Sequence, residues 1–154
     1  MGNNTTAFGD ASTAMGVNTT ACGYASTAMG VNTDASGNYS TAMGRETEAS
    51  GYVSTAMGES TTASNDYSTA MGFQTEASGT GSTAMGIFTT ASGLISTAMG
   101  SGTTSPSLAE TAIGRYNTPY TPAGVTSWNS GDRLFVIGNG QSSNSKSDAM
   151  IVYK

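Results

Sequence analysis

The stretch STAMGVNTTACGYASTAMG, Ser12 to Gly30, decides the fold. The same five residues stand at both ends, fourteen residues apart, and midway between them TTACG is a weaker echo. STAMG begins at Ser12, Ser26, Ser40, Ser54, Ser68, Ser82 and Ser96 without one insertion, and a degenerate copy, ETAIG, follows at Glu110. Between the copies run TTAFG, TTACG, TDASG, TEASG, TTASN, TEASG and TTASG, so alanine occupies every seventh position from Ala7 to Ala98. At the next such place Ser105 stands beside Pro106, and the regular array is expected to end between Ser101 and Gly114. Short, insertion-free periods are the mark of stacked repeats.

A seven-residue period first suggests a coiled coil, but the constant residues here are Thr or Ser, Ala and Gly. A coiled-coil seam needs two large apolar positions per heptad. Glycine inside a helix costs about 1 kcal/mol relative to alanine, and this chain would meet that cost in nearly every heptad. Five-residue strands separated by two-residue turns fit better, with Gly closing each strand where unusual backbone angles are required. Two strands and two turns form one coil of fourteen residues. With coils about 4.8 Å apart, eight of them make a rod of roughly 40 Å. The expected fold is all-β, a parallel β-solenoid.

Side chains alternate across a strand, so STAMG divides into Ser-Ala-Gly and Thr-Met. In the intervening strand Glu48 shares a face with Ser50, Glu76 with Ser78, and Asp34 with Ser36. Unpaired carboxylates are costly in a narrow interior, so that face looks at water. The interior is then a column of small residues. The outer face of STAMG shows Met15, Met29, Met43, Met57, Met71, Met85 and Met99, continued by Ile113. Burying a methionine stabilises by ~1.5–3 kcal/mol, so seven offer roughly 10–20 kcal/mol per chain. Such a stripe marks an interface, and closed cyclic symmetry is the usual solution for self-association. The alternative is that the methionines fill the core of a wider solenoid.

STAMG alternating with TxASG in fourteen-residue units resembles the head repeats of YadA-type trimeric autotransporter adhesins. Their heads carry a Ser-Val-Ala-Ile-Gly-like strand alternating with an Ala-x-Ala-Ser-Gly-like strand. The resemblance covers Asn4 to about Gly114. It implies a left-handed parallel β-roll, a homotrimer with the Met column at its axis, and an extracellular role in adhesion to a host or matrix component. Met15 and its successors stand where the family usually has Ile or Val, and Thr13 and its successors where it has Val. The interface here is therefore expected to be softer and more polar.

The remainder, 115–154, is expected to be a separate C-terminal β segment following head repeats at 4–114. After the prolines of YNTPYTPAG, Leu134 to Ile137 and Ala149 to Tyr153 read as two strands joined by a Gly-Asn-Gly and Ser/Asn loop. This block resembles segments that follow such repeats in long bacterial and phage surface fibres. A structural piece of a phage or injection-system fibre is accordingly the second functional reading. The first residues carry neither a basic segment nor an apolar run, so the chain reads as either cytoplasmic in manufacture or cut from a longer cell-surface protein.

Charge and chemistry narrow the functions further. The net charge is −5, with no basic run, which argues against nucleic acid or an anionic membrane as partner. No window approaches the ~18 consecutive apolar residues of a membrane span. The chain has no histidine, no phosphate-binding loop and no nucleophile elbow, so neither an enzymatic activity nor a cofactor is expected. Asp34, Glu48 and Glu76 could align as a weak cation site, but a solvated acidic face explains them as well, and no metal site is assigned. Cys22 faces out as an incidental thiol. Thr6, Thr20, Thr62 and Thr90 form an outer ladder of the ice-binding kind, interrupted by those acids. Bulky residues assigned to turns, Tyr24, Tyr39, Tyr52, Tyr67, Phe73 and Phe88 with Val53, Ile87, Leu94 and Ile95, are candidates for partner binding on a rigid scaffold. Packing between neighbouring chains is the competing explanation.

Overall fold

A computed structural model describes residues 2–154 and contains strands, turns and no helix. Long strands Thr13–Val17, Thr27–Val31, Thr41–Arg45, Thr55–Glu59, Thr69–Phe73, Thr83–Ile87, Thr97–Ser101 and Thr111–Arg115 alternate with two-residue strands. The short ones run from Thr6–Ala7 through Thr20–Ala21 and its successors to Thr104–Ser105. Long strands pair in parallel at a register of fourteen, Thr27 on Thr41 and Met29 on Met43, and form a broad sheet of eleven strands. Short strands pair likewise into a narrow sheet of eight. The chain is a parallel β-solenoid.

The long strand is shifted by one residue from its expected place. Serine precedes it and glycine lies inside it, so the strand runs TAMGV rather than STAMG. Glycine does not end the strand; it lets neighbouring coils touch. A Cβ on Gly44, whose φ is +125°, would lie 1.9 Å from the carbonyl oxygen of Gly58. Backbone occupies the space, so no side chain fits there.

The core follows from the same closeness. Every repeat alanine from Ala21 to Ala98 is completely buried, and with Ala14 they form one continuous cluster between the sheets. Hydroxyl columns flank it, Thr19 and its successors on one side and Ser26 and its successors on the other, all buried. The methionines lie on the opposite face from the alanines, which excludes the wider solenoid with a methionine core.

Corners carry the conformational cost. From Asn4 to Tyr116 every seventh residue has φ between 43° and 66°, and apart from Gly81 and Gly102 none is glycine. Left-handed backbone costs roughly 1–2 kcal/mol for an ordinary residue. Each corner recovers part of this through an inter-coil hydrogen bond, as Glu46 N–H donates to Val31 C=O at 2.9 Å and Val53 N–H to Asn38 C=O at 2.9 Å. At one corner of each coil the serine amide also donates back across the turn, Ser26 to Gly23 at 3.2 Å, with positive φ at the third residue as in a type II turn. The other corner adds side-chain ladders, with Asn4 donating to Asn18 at 2.9 Å and Asn18 to Asn32 at 3.1 Å.

Beyond Gly114 the sheet does not stop. Arg133–Asn139 pairs in parallel with Thr111–Arg115, setting Val136 on Ala112 and Gly138 on Gly114. Asp148–Tyr153 then pairs antiparallel with Arg133–Asn139 and forms the last strand. Both strands were expected, though each is longer than the sequence suggested. Their continuation of the solenoid sheet was not.

Candidate functional site

Three columns of side chains stand on the outer face of the broad sheet. The middle one is the methionine column, in register from Met15 to Met99 and continued by Ile113. Met15 is 43% exposed and the others are half-buried, screened by each other and by the threonines of the adjoining column. The third column varies: Val17, Val31, Arg45, Glu59, Phe73, Ile87, Ser101 and Arg115. Phe73 and Ile87 were expected in turns and instead end long strands, because each strand begins and ends one residue later than STAMG. In this column Arg45 pairs with Glu59 of the next coil and with Glu46 at 3.6 Å.

The sequence reading missed two members of the apolar column. Ile137 pairs with Ile113, and Met150 lies opposite Ile137. The column therefore reaches the last strand, where Met150 is 43% exposed. A signal existed: FVIGN, 135–139, repeats the pattern TAIGR with larger residues at the first two places.

The narrow sheet presents a different face. Asp34 and Glu48 are direct neighbours, while Thr62 stands between Glu48 and Glu76. Burial and the Glu48 carboxylate push the Asp34 carboxyl above its ordinary range, with Ser36 opposing. Among the described residues no cluster of three or more His, Cys, Asp or Glu side chains gathers into a metal cage. The threonine ladder is half-buried and broken by these carboxylates, and Cys22 is exposed.

At the serine-closed corner four of the candidate aromatic residues make a single ladder. Tyr24, Tyr39, Tyr52 and Tyr67 alternate between adjacent turn positions and meet edge to face, with centroids 5.3, 5.6 and 5.6 Å apart. The alternation has a cause. Where a coil lacks tyrosine at the first position it carries Asn38 or Asp66, whose side-chain oxygen accepts the N–H of Tyr24 at 2.9 Å or Tyr52 at 3.0 Å. Phe88 occupies the opposite corner and meets Phe73 edge to face at 5.4 Å. The candidates thus form two separate patches.

The fourteen-residue coil with an alanine core and a small-xxx-glycine strand can be set against known families. A family model described as the YadA head domain repeat (2 copies) matches residues 1–19, 21–47, 49–75 and 77–103, more than half of the chain. The chain belongs to the YadA head repeat family. No curated protein matches the chain significantly.

In this YadA head segment the family match stops where the repeat chemistry changes. Glu110 takes the place of the repeat serine and is completely buried. One of its oxygens accepts Ser107 N–H at 3.0 Å and Tyr120 O–H at 3.3 Å. Desolvation pushes its carboxyl above the usual range, and the Ser107 bond and the Arg133 charge oppose this only in part. Arg133, also buried, donates to Thr118 C=O at 2.7 Å, lies 4.3 Å from the Tyr120 ring centroid and reaches Asp148 at 3.6 Å. The Asn117 carboxamide takes Thr104 N–H at 2.8 Å and donates to Thr104 C=O at 2.9 Å, imitating one more rung of the narrow sheet. Together these groups close the interior and the narrow sheet, whose bare edge would invite uncontrolled pairing, while the broad sheet runs on.

Proposed function

We propose that the chain is a non-enzymatic head or shaft segment of a trimeric surface adhesin. The observation that carries this reading is the unbroken apolar column on the outer face of the broad sheet. Three such faces brought around one axis would cover the column and leave corners and narrow sheets outward. Each coil adds about 4.8 Å of height and one methionine per chain to the axis, so assembly strength grows with repeat number. Location outside the cell, attachment to a host or matrix component, and the absence of catalysis are parts of the same proposal. The tyrosine ladder is the surface offered for contact, because its rings are rigidly held yet 41–58% exposed.

Binding of the assembled protein to immobilised matrix or host-cell surfaces tests it. Replacing Tyr39 and Tyr67 by Ser should abolish retention while the mass of the assembly stays the same. Undiminished retention would rule out the ladder as the contact surface. A fibre segment is the second reading, favoured by the last two strands, which extend the same sheet past the matched repeats as a continuing shaft would. Retention by no surface, with the trimer intact, would favour that reading.

A further inference from the structure

The corner column of Phe88 and Tyr116 borders a cavity of about 390 Å³, within the size range of small-ligand sites. Gly102 leaves the column without a side chain between them, and the Tyr116 ring leans over it so closely that a Cβ there would lie 2.4 Å from ring carbons. The far wall is the loop 140–147, fixed to the corner by Ser147 N–H on Tyr116 C=O at 3.1 Å and Gly140 N–H on Arg115 C=O at 2.9 Å. Ser143 and Lys146 of that loop, with Thr104, supply the polar lining.

Charge at this place runs against the rest of the molecule. The chain carries five Lys and Arg against ten Asp and Glu. Arg45 and Arg133 have carboxylate partners, and Lys154 donates to Ser107 at 3.1 Å and lies 5.6 Å from the Trp128 centroid. Among the described residues Lys146 and Arg115 form no ion pair. Both lie beside Tyr116, Arg115 with its guanidinium 5.5 Å from the ring centroid. No carboxylate lines the cavity.

We infer that this cavity binds a carboxylated sugar. Its ring would rest an apolar C–H face on the aromatic walls, its hydroxyls would meet Thr104 and Ser143, and its carboxylate would meet Lys146. Phosphate fits less well, since phosphate sites are built from free backbone amides. Here the amides of the corner are committed: Gly102 N–H to Ile87 C=O at 2.8 Å, Tyr116 N–H to Ser101 C=O at 2.9 Å and Thr104 N–H to Asn117, which leaves only loop amides on the far wall. The cavity is formed by one chain, so the inference depends on neither the trimer nor the tyrosine ladder.

Calorimetric titration of the full chain with N-acetylneuraminic acid, glucuronic acid, methyl glucoside and inorganic phosphate tests it. At least one of the two acids should bind saturably, and methyl glucoside roughly tenfold more weakly or not at all. Lys146→Gln should weaken the acid roughly tenfold, and Phe88→Gly, which keeps the corner backbone, should weaken it as well. Arg45→Gln should change nothing. Circular dichroism on each variant establishes that the solenoid is intact. Equal binding of methyl glucoside, displacement of the acid by equimolar phosphate, indifference to Lys146→Gln in a folded variant, or no saturable binding of either acid would each overturn the inference.

Discussion

The two sheets of the solenoid share one interior and have opposite exteriors. Each buries one alanine per coil, which together fall at every seventh residue, and both stack at a register of fourteen. Outside, the broad sheet carries methionine, and the narrow sheet carries threonine, aspartate and glutamate. The interior is dictated by closure, since only small residues fit between backbones this near. The exterior is free of that constraint and therefore records what each face meets. On this account the broad face meets two more copies of itself and the narrow face meets water.

Matched substitutions on the two faces break this comparison most forcefully. Met57→Glu with Met71→Glu should cost about 3–6 kcal/mol per chain and dissociate the assembly, judged by sedimentation and thermal melting. Thr62→Lys with Thr90→Lys, equally charged but set beside Glu48 and Glu76 on the narrow sheet, should leave mass and melting temperature close to those of the parent. Equal effects would remove the distinction between the faces.

The shared interior predicts the reverse symmetry. Ala56→Leu in the broad sheet and Ala63→Leu in the narrow one should destabilise by similar amounts, about 1–3 kcal/mol each, in denaturant titration. A tolerant narrow sheet would mean that its alanines are not part of one core.

The end cap sharpens the contrast between repeat and departure from it. Glu110 has a raised carboxyl in the folded chain, so the folded state holds its proton to higher pH than the unfolded state does. Its contribution is fully present below the ordinary carboxylate range near 4.5 and is lost as pH rises through the folded value. Glu110→Gln should remove that fall in stability, a change visible as a flatter melting temperature between acidic and neutral pH. An unchanged profile would show that Glu110 does not titrate with folding.

Smallest is the effect expected at the asparagine ladder. Asn18→Ala loses two side-chain bonds and an αL-tolerant residue at φ 52°. A loss of about 0.5–1 kcal/mol is expected by denaturant titration, as the bonds are exposed. Several kcal/mol would mean that the ladder, not the core, holds the corner.

Much of this was legible in the sequence because repetition averages out local ambiguity. One STAMG would say little, whereas seven without an insertion fix period, register and facing. The Met column was readable through alternation from the carboxylates of the second strand. The corners were not readable, since Asn18, Glu46, Val53 and Phe88 share a left-handed backbone and no chemical property. An inter-coil bond between main chains sets them, and it is blind to the side chain. Ile137 and Met150 escaped for another reason. Ile137 follows Ile113 by twenty-four residues instead of fourteen, and the last strand runs antiparallel, so no fixed period reaches either residue. The cavity at Tyr116 likewise joins a repeat corner to a loop beyond the array, a pairing that only the folded chain reveals.

The central claim is that the methionine column is a shared axis. Sedimentation equilibrium at micromolar concentration tests it most directly. The account predicts a single species at three times the 15.4 kDa chain mass, persisting on dilution. A species of 15.4 kDa would contradict it.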